Sequence, residues 1–539
     1  MPGNRARAAL QDWLRRPEIR SHLPSNILEY LRWCVTIDTR SLAAFRIFAA
    51  LLIIGDVLSR SRNFHFYYTD DGAVSQELAE RFTRADAFSI FFYTSDPDVI
   101  AGLFILHVLI AFLLLIGYKT RIALIISFLF VVSLDYHNPF VLSYADTLFR
   151  MLLFWSIFLP LGERWSIDAL QRDRPPRGSV AGLATFAIMT QMIFMYFVNA
   201  MNKFPSDRWH SGDAAIIVMG IDEMTYLIGN FMRNFPVFLQ IGGRMWFYLL
   251  VVSPLLLLLY GRARYPMLVA LAGGHLSFAL TVRIGAFAYV ALVGLLVFVQ
   301  PRLWADIGLL LRIVGQEHRG PAVRDAIAAP GGWVAARLPG RLVDFTGRDL
   351  FARKTLTAFV AVFIIGIMIF PAFSIAAEGP YLDESPLPDD NPIEDAAANL
   401  GVNQPTWSIF AGPGPRNIDR FYVMPAVTAD GTTWDVYNDR ALTADRPGQN
   451  LQHMHSTYRE RFYMNSVRRH TVVANAYVDH VCAQWNEQGI ELTHVNIHEY
   501  RERITIDTVD APEERERWLE HESQHACGEH RPKDIEIPD

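Results

Sequence analysis

Several uninterrupted apolar runs in this sequence are long enough to cross a lipid bilayer. A helix needs ~20 apolar residues to span a hydrocarbon core of ~30 Å. Of the 539 residues, 51% are hydrophobic and only 19% are charged, which is too apolar for a water-soluble multidomain protein. The sequence therefore predicts a polytopic all-α membrane bundle with roughly nine transmembrane helices. The candidate spans are residues 41–59, 98–117, 121–135, 143–161, 180–200, 244–260, 265–282, 284–299 and 356–376.

The distribution of Lys and Arg predicts the orientation of these spans, because cytoplasmic connections carry an excess of both. Residues 1–40 are rich in arginine and show no cleavable signal peptide, so we expect a cytoplasmic N-terminal segment. The connection 301–354 carries nine Lys or Arg residues against five Asp or Glu residues and is expected on the same side. The membrane domain is then 41–377. An odd number of crossings places residues 378–539 outside what we expect to be a prokaryotic cell membrane.

One apolar stretch does not fit a simple span. Residues 214–240 contain Asp222, Glu223, Arg233 and Pro236. Such a segment can lie on the bilayer surface or re-enter it, where its carboxylates and backbone reach water. We expect one or two helices of this kind, and the sequence leaves the two placements open.

Residues 378–539 have the pattern of a small α+β domain. The stretch 419–440, DRFYVMPAVTADGTTWDVYNDR, predicts two short strands around an Asp-Gly turn. Residues 458–489 have helical apolar spacing and end in glycine, whereas residues 491–506 alternate as a strand does. The Pro-rich and acidic residues 379–393 are predicted to link this domain to the last span.

The three cysteines fall on both sides of the predicted membrane. Cys34 is expected inside, whereas Cys482 and Cys527 are expected outside, where a disulfide is permitted. The sequence leaves the pairing of Cys482 with Cys527 open, because it does not show whether the two residues are close.

Four charged residues lie within predicted spans. Arg46 and Asp56 belong to the first span, and Asp146 and Arg150 lie one helical turn apart in the fourth. A charge in hydrocarbon costs ~2.5–3.5 kcal/mol on insertion scales, so such groups normally face the bundle interior and pair. These residues therefore indicate either a buried ion pair that fixes the helix register or an internal polar site with a chemical role.

Further polar residues gather at the outer ends of spans. His137, in DYHNPF, ends the third span, and Lys203, in NKFPSDRWH, ends the fifth. His275, in the seventh span, follows two glycines that would let a ligand or another backbone approach. A lone membrane histidine is often only hydrogen-bonded between helices. Together, however, these groups predict a candidate site near the outer leaflet.

Several segments in series resemble the horizontally transferred transmembrane (HTTM) domain family, which is related to vitamin K-dependent γ-carboxylase. They are RIFAALLIIGDVLSR, FYYTDDGAVS, LFRMLLFWSIFLPLGERWSID and NKFPSDRWHSGDA, and the resemblance covers about residues 35–300. The later stretch PTWSIFAGPGPRNIDRFYVMPAVTADGTTWDVY resembles the segment that many prokaryotic members carry after the last span. The order of these segments, rather than any single motif, carries the resemblance.

The resemblance implies a chemistry. The γ-carboxylase oxygenates a reduced quinone, and the strong base so formed takes a proton from a glutamate γ-carbon, which captures CO2. A lysine amine begins the reaction by deprotonating the quinol, and that lysine matches Lys203. A later membrane histidine matches His275. The family's Asn-His pair has no clean counterpart, because His137 and Asn138 occur in reverse order and earlier, while Asp146 lies closer to the matching depth.

Lys203 has two interpretations. With Arg208 and Trp209 it fits a snorkelling anchor at the membrane boundary. It fits a general base if Trp209, Phe204 and Arg208 provide a dry, cationic environment that holds its amine uncharged. With the resemblance, we take Lys203 as the candidate catalytic base. The candidate substrate-binding residues are His275, Asp146, His137, Arg150 and Trp209.

The tail contains HESQHACGEH, residues 521–530, with the H-E-x-x-H pattern of zinc peptidases. The third ligand position of the longer pattern is Arg531, and the preceding EERERWLEHE is highly charged. We interpret this stretch as a charged surface helix and predict no metal site.

Two classes of function are open on the sequence. The first is a γ-carboxylase-like enzyme, a carbon–carbon lyase or quinol epoxidase, with a vitamin K-like quinol as cofactor and a protein or peptide as substrate. The second is a non-catalytic membrane module whose outer domain binds a protein or a lipid. Membrane lipids are partners in both cases. The chain shows no inverted repeat typical of transporters, its outer domain shows no basic stripe typical of nucleic-acid binding, and we expect no nucleic-acid partner.

Overall fold

The computed structural model describes residues 24–314, 331–339, 350–369, 371, 392–411, 414–448 and 451–538. The helices include α1 (Ile27–Cys34), α2 (Thr39–Ser61), α3 (Phe64–Tyr68), α4 (Gln76–Phe82), α5 (Pro97–Ile116), α6 (Thr120–His137), α7 (Tyr144–Ser156), α8 (Ile167–Leu170), α9 (Leu183–Lys203), α10 (Asp207–Ser211) and α11 (Asp213–Met219). They continue with α12 (Gly229–Met232), α13 (Pro236–Val251), α14 (Leu255–Leu258), α15 (Tyr265–Thr281), α16 (Phe287–Leu295), α17 (Pro301–Ile313), α18 (Leu350–Ile364), α19 (Pro392–Asn399), α20 (Tyr458–Val467) and α21 (Thr471–Glu487). The strands include β1 (Ile37–Asp38), β2 (Ser179–Val180), β3 (Ile418–Val423), β4 (Pro425–Thr428), β5 (Thr433–Asp435), β6 (Arg440–Ala441), β7 (Leu492–Arg503) and β8 (Arg517–Ala526).

Four helices are long and apolar enough to cross a membrane. These are α2, α5, α6 and α9, with 23, 20, 18 and 21 residues. Residues 287–298 and α17, bent by 100° at their junction, make a fifth candidate if they form one broken span. The other predicted spans contain shorter helices, such as α7 with 13 residues and α15 with 17. The described residues thus show four or five membrane-capable helices, and the prediction of nine spans is not confirmed.

Helix α9 ends where its sequence requires. Its last residue is Lys203, Phe204 still has helical backbone angles, and Pro205, two positions later, cannot donate the backbone hydrogen bond that would continue the helix. The side chain of Lys203 therefore lies in the last turn, at the negative end of the helix dipole. Asn199 and Tyr196 precede it by four and seven residues, so the three side chains share one helix face.

The ambiguous stretch 214–240 forms α11, a turn, the short helix α12 and the start of α13. Its carboxylates do not reach water, contrary to our expectation. Asp222 and Glu223 are buried, and their backbone N–H groups donate to Asp419 of strand β3 at 2.8 and 3.1 Å. Asp222 pairs with Arg233 of the same stretch, and arginines of the C-terminal domain pair with both carboxylates, which the sequence of the stretch alone does not show.

The C-terminal domain is built around one long strand. Strand β7 pairs with β3 and β4 along one edge and with β8 along the other, and β5 and β6 continue the sheet beyond β4. All of these pairings are antiparallel. The predicted turn at Asp430 and Gly431 joins β4 to β5, and the predicted strand at 491–506 contains β7. The predicted helical stretch forms two helices, α20 and α21.

The tail differs from our prediction. Residues 517–526 form strand β8 and not a charged surface helix, because β7 offers a full free edge over that length. His521 and His525 therefore do not share a helix face. Cys482 on α21 and Cys527, directly after β8, form a disulfide with a Cα–Cα distance of 5.8 Å. The predicted linker lies outside the described residues except for its end, which begins α19.

The charged residues of the spans have partners, but not those that sequence spacing suggests. Arg46 donates to backbone carbonyls, including those of Leu161 and Arg164 at 3.1 Å. Asp146 is in the first turn of α7 and does not form an ion pair with Arg150 among the described residues; both belong to a larger group. We call this group the bundle ion cluster. It comprises Asp56, Arg60, Asp135, Asp146, Arg150 and Arg459.

The bundle ion cluster attaches the C-terminal domain to the helical bundle. It contains three arginines and three aspartates, so its charges balance. Five of its members come from the bundle, and Arg459 comes from α20 of the C-terminal domain. Tyr463 and Met464 of α20 also belong to the same continuous apolar core as the membrane helices. The two parts therefore pack as one body through both apolar and ionic contacts.

Candidate functional site

Lys203 is buried at the end of α9, with a relative exposure of 2%. Its Nζ donates to Asn199 Oδ1 at 2.5 Å and to the carbonyl oxygen of Ile409 at 2.6 Å. It also lies 4.6 Å from the ring centroid of Trp209. No ion pair joins it to a carboxylate in the described part of the chain. The amine is thus held by neutral acceptors and an aromatic face.

A segment from the start of the C-terminal domain covers this lysine. Residues 400–411, the covering segment, run along α9 from the level of Gln191 to that of Lys203. Gln404 exchanges side-chain hydrogen bonds with Gln191 at 2.8 and 3.2 Å. Asn199 Nδ2 donates to the carbonyl oxygens of Trp407 and Ile409 at 2.7 and 3.1 Å. The segment therefore closes the polar end of α9 with its own backbone.

The environment of Lys203 differs in part from the predicted one. Trp209 is buried and lies against the amine as expected. Phe204 and Arg208 are exposed to the surroundings of the protein. The covering segment, rather than Phe204 or Arg208, completes the burial, because it brings Ile409 onto the amine.

His275 lies in a separate aromatic pocket that also contacts α9. Its Nε2 is 2.9 Å from the hydroxyl of Tyr196, two helical turns before Lys203. The ring of Trp246 meets the imidazole edge-on at 5.3 Å, and Phe287 lies 6.0 Å away. The Nδ1 atom has no hydrogen-bond partner among the described residues. Tyr196 thus places His275 on the same face of α9 as Lys203.

The two glycines before His275 have different surroundings. A Cβ atom at Gly274 would lie 2.3 Å from the ring of Trp246, whereas a Cβ atom at Gly273 would meet nothing within 4 Å. Gly274 therefore lets Trp246 approach the helix and hold the imidazole in place.

A cavity of about 370 Å³ lies near Lys203 and His275, between the bundle and the C-terminal domain. Ile409, which binds Lys203, and Phe287, which packs on His275, both line it. Tyr144, at the start of α7, lines it as well, and its hydroxyl is 2.9 Å from the hydroxyl of Ser408. A single residue thus separates the cavity from Lys203, and a single residue separates it from His275.

Asp146 and Arg150 lie in the bundle ion cluster. Arg150 donates to Asp135 at 2.7 Å and to the carbonyl oxygen of Gly401 at 2.8 Å. Asp146 accepts from Ser143 at the start of α7 and from Arg459 at 2.9 Å. Arg150 and Lys203 therefore hold opposite ends of the covering segment. A direct contact of either cluster member with substrate stays a prediction.

His137 lies in a different aromatic cluster from His275. Its ring stacks on Tyr68 at 5.7 Å and on Phe91 at 5.3 Å. No side chain of the described residues hydrogen-bonds to either ring nitrogen. The structure thus brings together Lys203, Trp209 and, through Tyr196, His275, and it places His137 in the neighbouring part of the bundle. Its role in substrate binding stays a prediction.

Sequence reasoning missed Asn199, Tyr196 and the covering segment. The first two had a local signal, since polar side chains four and seven residues before Lys203 must share its helix face. The covering segment had none, because its contact with α9 joins residues about two hundred positions apart in the sequence.

The comparison with protein families supports this description. The HTTM domain family matches residues 35–304, just over half of the chain, and this range includes Lys203 and His275. A relation to vitamin K-dependent γ-carboxylase is a general property of that family. No curated protein and no solved structure matches the chain. The match and the membrane-capable helices agree, and the chain belongs to the HTTM domain family.

Proposed function

We propose that this protein is a membrane enzyme that oxygenates a lipid-soluble quinol, with Lys203 as the base that starts the reaction. We also propose that the same site carboxylates a glutamate of a protein or peptide. We further propose nine spans, with residues 1–40 inside and the C-terminal domain outside the cell membrane of a prokaryote. The Lys and Arg distribution and the disulfide between Cys482 and Cys527 support this orientation.

The observation that carries the proposal is a buried amine without a counter-ion. A lysine buried for structural reasons normally pairs with a carboxylate, because an unpaired charge is costly to bury. Lys203 is 2% exposed and contacts an amide oxygen, a backbone carbonyl and an indole ring. This environment suits an amine that is neutral at rest and charged for part of a reaction cycle.

The same contacts fit the proton transfer. The neutral amine takes the hydroxyl proton of the quinol, which becomes a phenolate, and the lysine becomes an ammonium. Asn199 Oδ1, the Ile409 carbonyl oxygen and the face of Trp209 then stabilise the new positive charge. The bound quinol, with O2, supplies the oxygenation. His275, held by Tyr196 at 2.9 Å, retains Nδ1 for orienting a substrate oxygen.

The test compares Lys203→Met with Lys203→Arg in membranes that contain the full chain. We measure conversion of vitamin K hydroquinone to its epoxide in the presence of O2 and CO2. Lys203→Met removes the base, and Lys203→Arg keeps a charge that does not titrate near neutral pH. We expect both to lose at least about 100-fold in rate, the usual share of a general base. Lys119→Met, at the start of α6, is the matched control and should retain the wild-type rate.

A specific observation favours a second candidate, the non-catalytic module. The amine binds the backbone of the covering segment, so Lys203 also ties the C-terminal domain to α9. If this tie is its only role, wild-type membranes show no epoxide, and Lys203→Met lowers the melting temperature of the purified protein. Epoxide formation that persists in Lys203→Met would reject the base assignment while leaving a quinol-binding function in place.

A further inference from the structure

The cavity between the bundle and the C-terminal domain has one cationic wall. Four arginines line it, which we call the interface arginines: Arg416, Arg420, Arg461 and Arg469. Arg416 and Arg420 come from the chain entering and forming β3, and Arg461 and Arg469 come from α20 and the turn after it. Two elements thus direct guanidinium groups towards one space.

The charges of this wall do not balance. Arg416, Arg420 and Arg461 all approach the same oxygen of Glu223, and the distances for the last two are 3.7 and 3.2 Å. The second carboxylate oxygen of Glu223 is buried and has no hydrogen-bond partner among the described residues. One carboxylate therefore serves three arginines, which leaves an excess of positive charge.

Neighbouring carboxylates are already used by other groups. Asp419 accepts the N–H groups of Asp222 and Glu223 and binds Arg515 at 3.2 Å. Glu499 binds Arg501 at 3.0 Å and Arg468 at 3.4 Å. Burial lowers the pKa of Arg416 to about 9 in spite of Glu223, with Arg420 and Arg461 opposing its charge. The described carboxylates therefore do not neutralise all the positive charge of this wall, which leaves room for a bound anion.

The remaining walls are mainly apolar, and they also contain the polar side chains of Ser143, Ser408 and Asn465. Ile284 and Phe287 lie at the start of α16, and Phe410 and Phe462 come from the covering segment and α20. Tyr144 begins α7 on the same side. The cavity therefore combines a cluster of guanidinium groups with an apolar surface at the ends of membrane helices. A ligand that fits it carries a compact anion next to an apolar body.

We propose that this cavity binds a phosphate group, delivered either by a phospholipid headgroup or as a free phosphate. Guanidinium groups bind phosphate in pairs of parallel hydrogen bonds, and the several oxygens of a tetrahedral phosphate engage more than two of them at once. A planar carboxylate has only two oxygens. The apolar walls favour the headgroup source. The site does not use the Lys203 amine, so this proposal stands independently of the quinol chemistry.

The experiment uses the full chain in nanodiscs made of phosphatidylcholine. Dihexanoyl phosphatidic acid is titrated by calorimetry, with inorganic phosphate and dihexanoyl phosphatidylcholine as parallel probes. The variants are Arg469→Gln, which breaks no ion pair among the described residues, and Arg420→Gln combined with Arg469→Gln. Arg503→Gln is the matched control, since Arg503 is an exposed arginine of the same domain that does not line the cavity. Melting temperatures of all proteins confirm that they fold.

We expect phosphatidic acid to bind and phosphatidylcholine to bind much more weakly. Removing Arg469 should weaken binding about threefold, and removing both arginines should weaken it about tenfold or more, as expected for charge-assisted hydrogen bonds. Arg503→Gln should bind as the wild type does. If inorganic phosphate binds as tightly as phosphatidic acid and competes with it, free phosphate is the ligand. If inorganic phosphate competes only weakly with phosphatidic acid, the lipid headgroup is the ligand.

Three results would overturn the proposal. They are no binding of either phosphate probe, equal weakening by the cavity variants and by Arg503→Gln, or tighter binding of glutarate than of phosphate. Weaker phosphate binding in Arg469→Gln with unchanged epoxide formation separates this site from the proposed catalytic one.

Discussion

Arg459 of α20 donates a hydrogen bond to Asp146 of α7 at 2.9 Å and a second to Asp56 of α2 at 2.5 Å. One side chain of the C-terminal domain thus bridges two helices of the bundle. Because Arg60 shares both aspartates, the position of the C-terminal domain is coupled to the packing of the helices that surround the candidate site.

Replacing Arg459 by glutamine should loosen the contact between the domains. The change leaves two buried or half-buried aspartates with one arginine fewer, and breaking such a cluster costs about 3–5 kcal/mol. We expect a clear fall in the melting temperature of the purified protein and earlier proteolysis of the C-terminal domain. Arg503→Gln, which removes an exposed pair with Glu516, should change neither measurement. Equal behaviour of the two variants would contradict the structural role of the cluster.

Asn199→Asp should abolish the proposed base without removing the lysine. The new carboxylate would lie next to the Lys203 amine, where Asn199 Oδ1 is now at 2.5 Å, and would hold that amine as an ammonium. We expect epoxide formation to fall at least about 100-fold, as for loss of a general base.

The matched control is Asn202→Asp. Asn202 lies on the same helix, and its side chain donates to the Thr406 carbonyl oxygen of the covering segment at 2.6 Å. This variant also loses a donor to the covering segment but places no charge on Lys203, so it should retain activity. An active Asn199→Asp protein would argue against an amine that must be neutral.

Gly274→Ala should disturb the support of His275. The added Cβ would lie 2.3 Å from the Trp246 ring, so that ring must move, at a cost of about 1–3 kcal/mol for an overpacked core. Gly273→Ala adds the same atom into open space and should be neutral or slightly stabilising, because alanine favours helix. Thermal unfolding of the two variants checks this difference, and equal melting temperatures would contradict it.

Glu163 should make stability depend on acid pH. Burial opposes ionisation of its carboxyl group, but the backbone N–H and guanidinium of Arg177, together with Arg172, lower its pKa from 4.5 to about 2. A carboxyl group with a lowered pKa in the folded state stabilises that state above its unfolded value, and this contribution disappears as the pH falls towards the folded value. The stabilisation should therefore be complete above about pH 4.5 and be lost towards about pH 2.

Comparison with Glu163→Gln tests this dependence by thermal unfolding. The wild type should be more stable at about pH 7, by an amount on the order of 2 kcal/mol for a charge-assisted contact, and the difference should shrink at about pH 3. A difference that is the same at both pH values would show that the contacts act by packing and not by charge.

The disulfide between Cys482 and Cys527 should tie α21 to the edge strand β8. The bridge closes a separation of 45 residues, so Cys482→Ser combined with Cys527→Ser should cost about 2–4 kcal/mol of stability. The same cysteines test orientation. In intact cells, an impermeant reductant followed by an impermeant maleimide should label them, and labelling only after permeabilisation would place the domain inside.

The sequence by itself determined the membrane-embedded helical bundle, the small α+β domain after it and the position of Lys203 at a helix end. These features are local, because apolar run length, periodicity and a following proline act within one segment. It also predicted strand β7 and the turn at Asp430, where alternation and turn residues are clear.

Only the tertiary structure decided what surrounds these elements. Residues 517–526 form strand β8 because β7 offers an edge. Asp222 and Glu223 are buried because arginines of a distant domain reach them. The covering segment lies on Lys203, and four arginines share one cavity, through contacts between residues far apart in the chain. Burial and pairing of charges depend on which distant groups meet, and no local pattern of residues encodes that meeting.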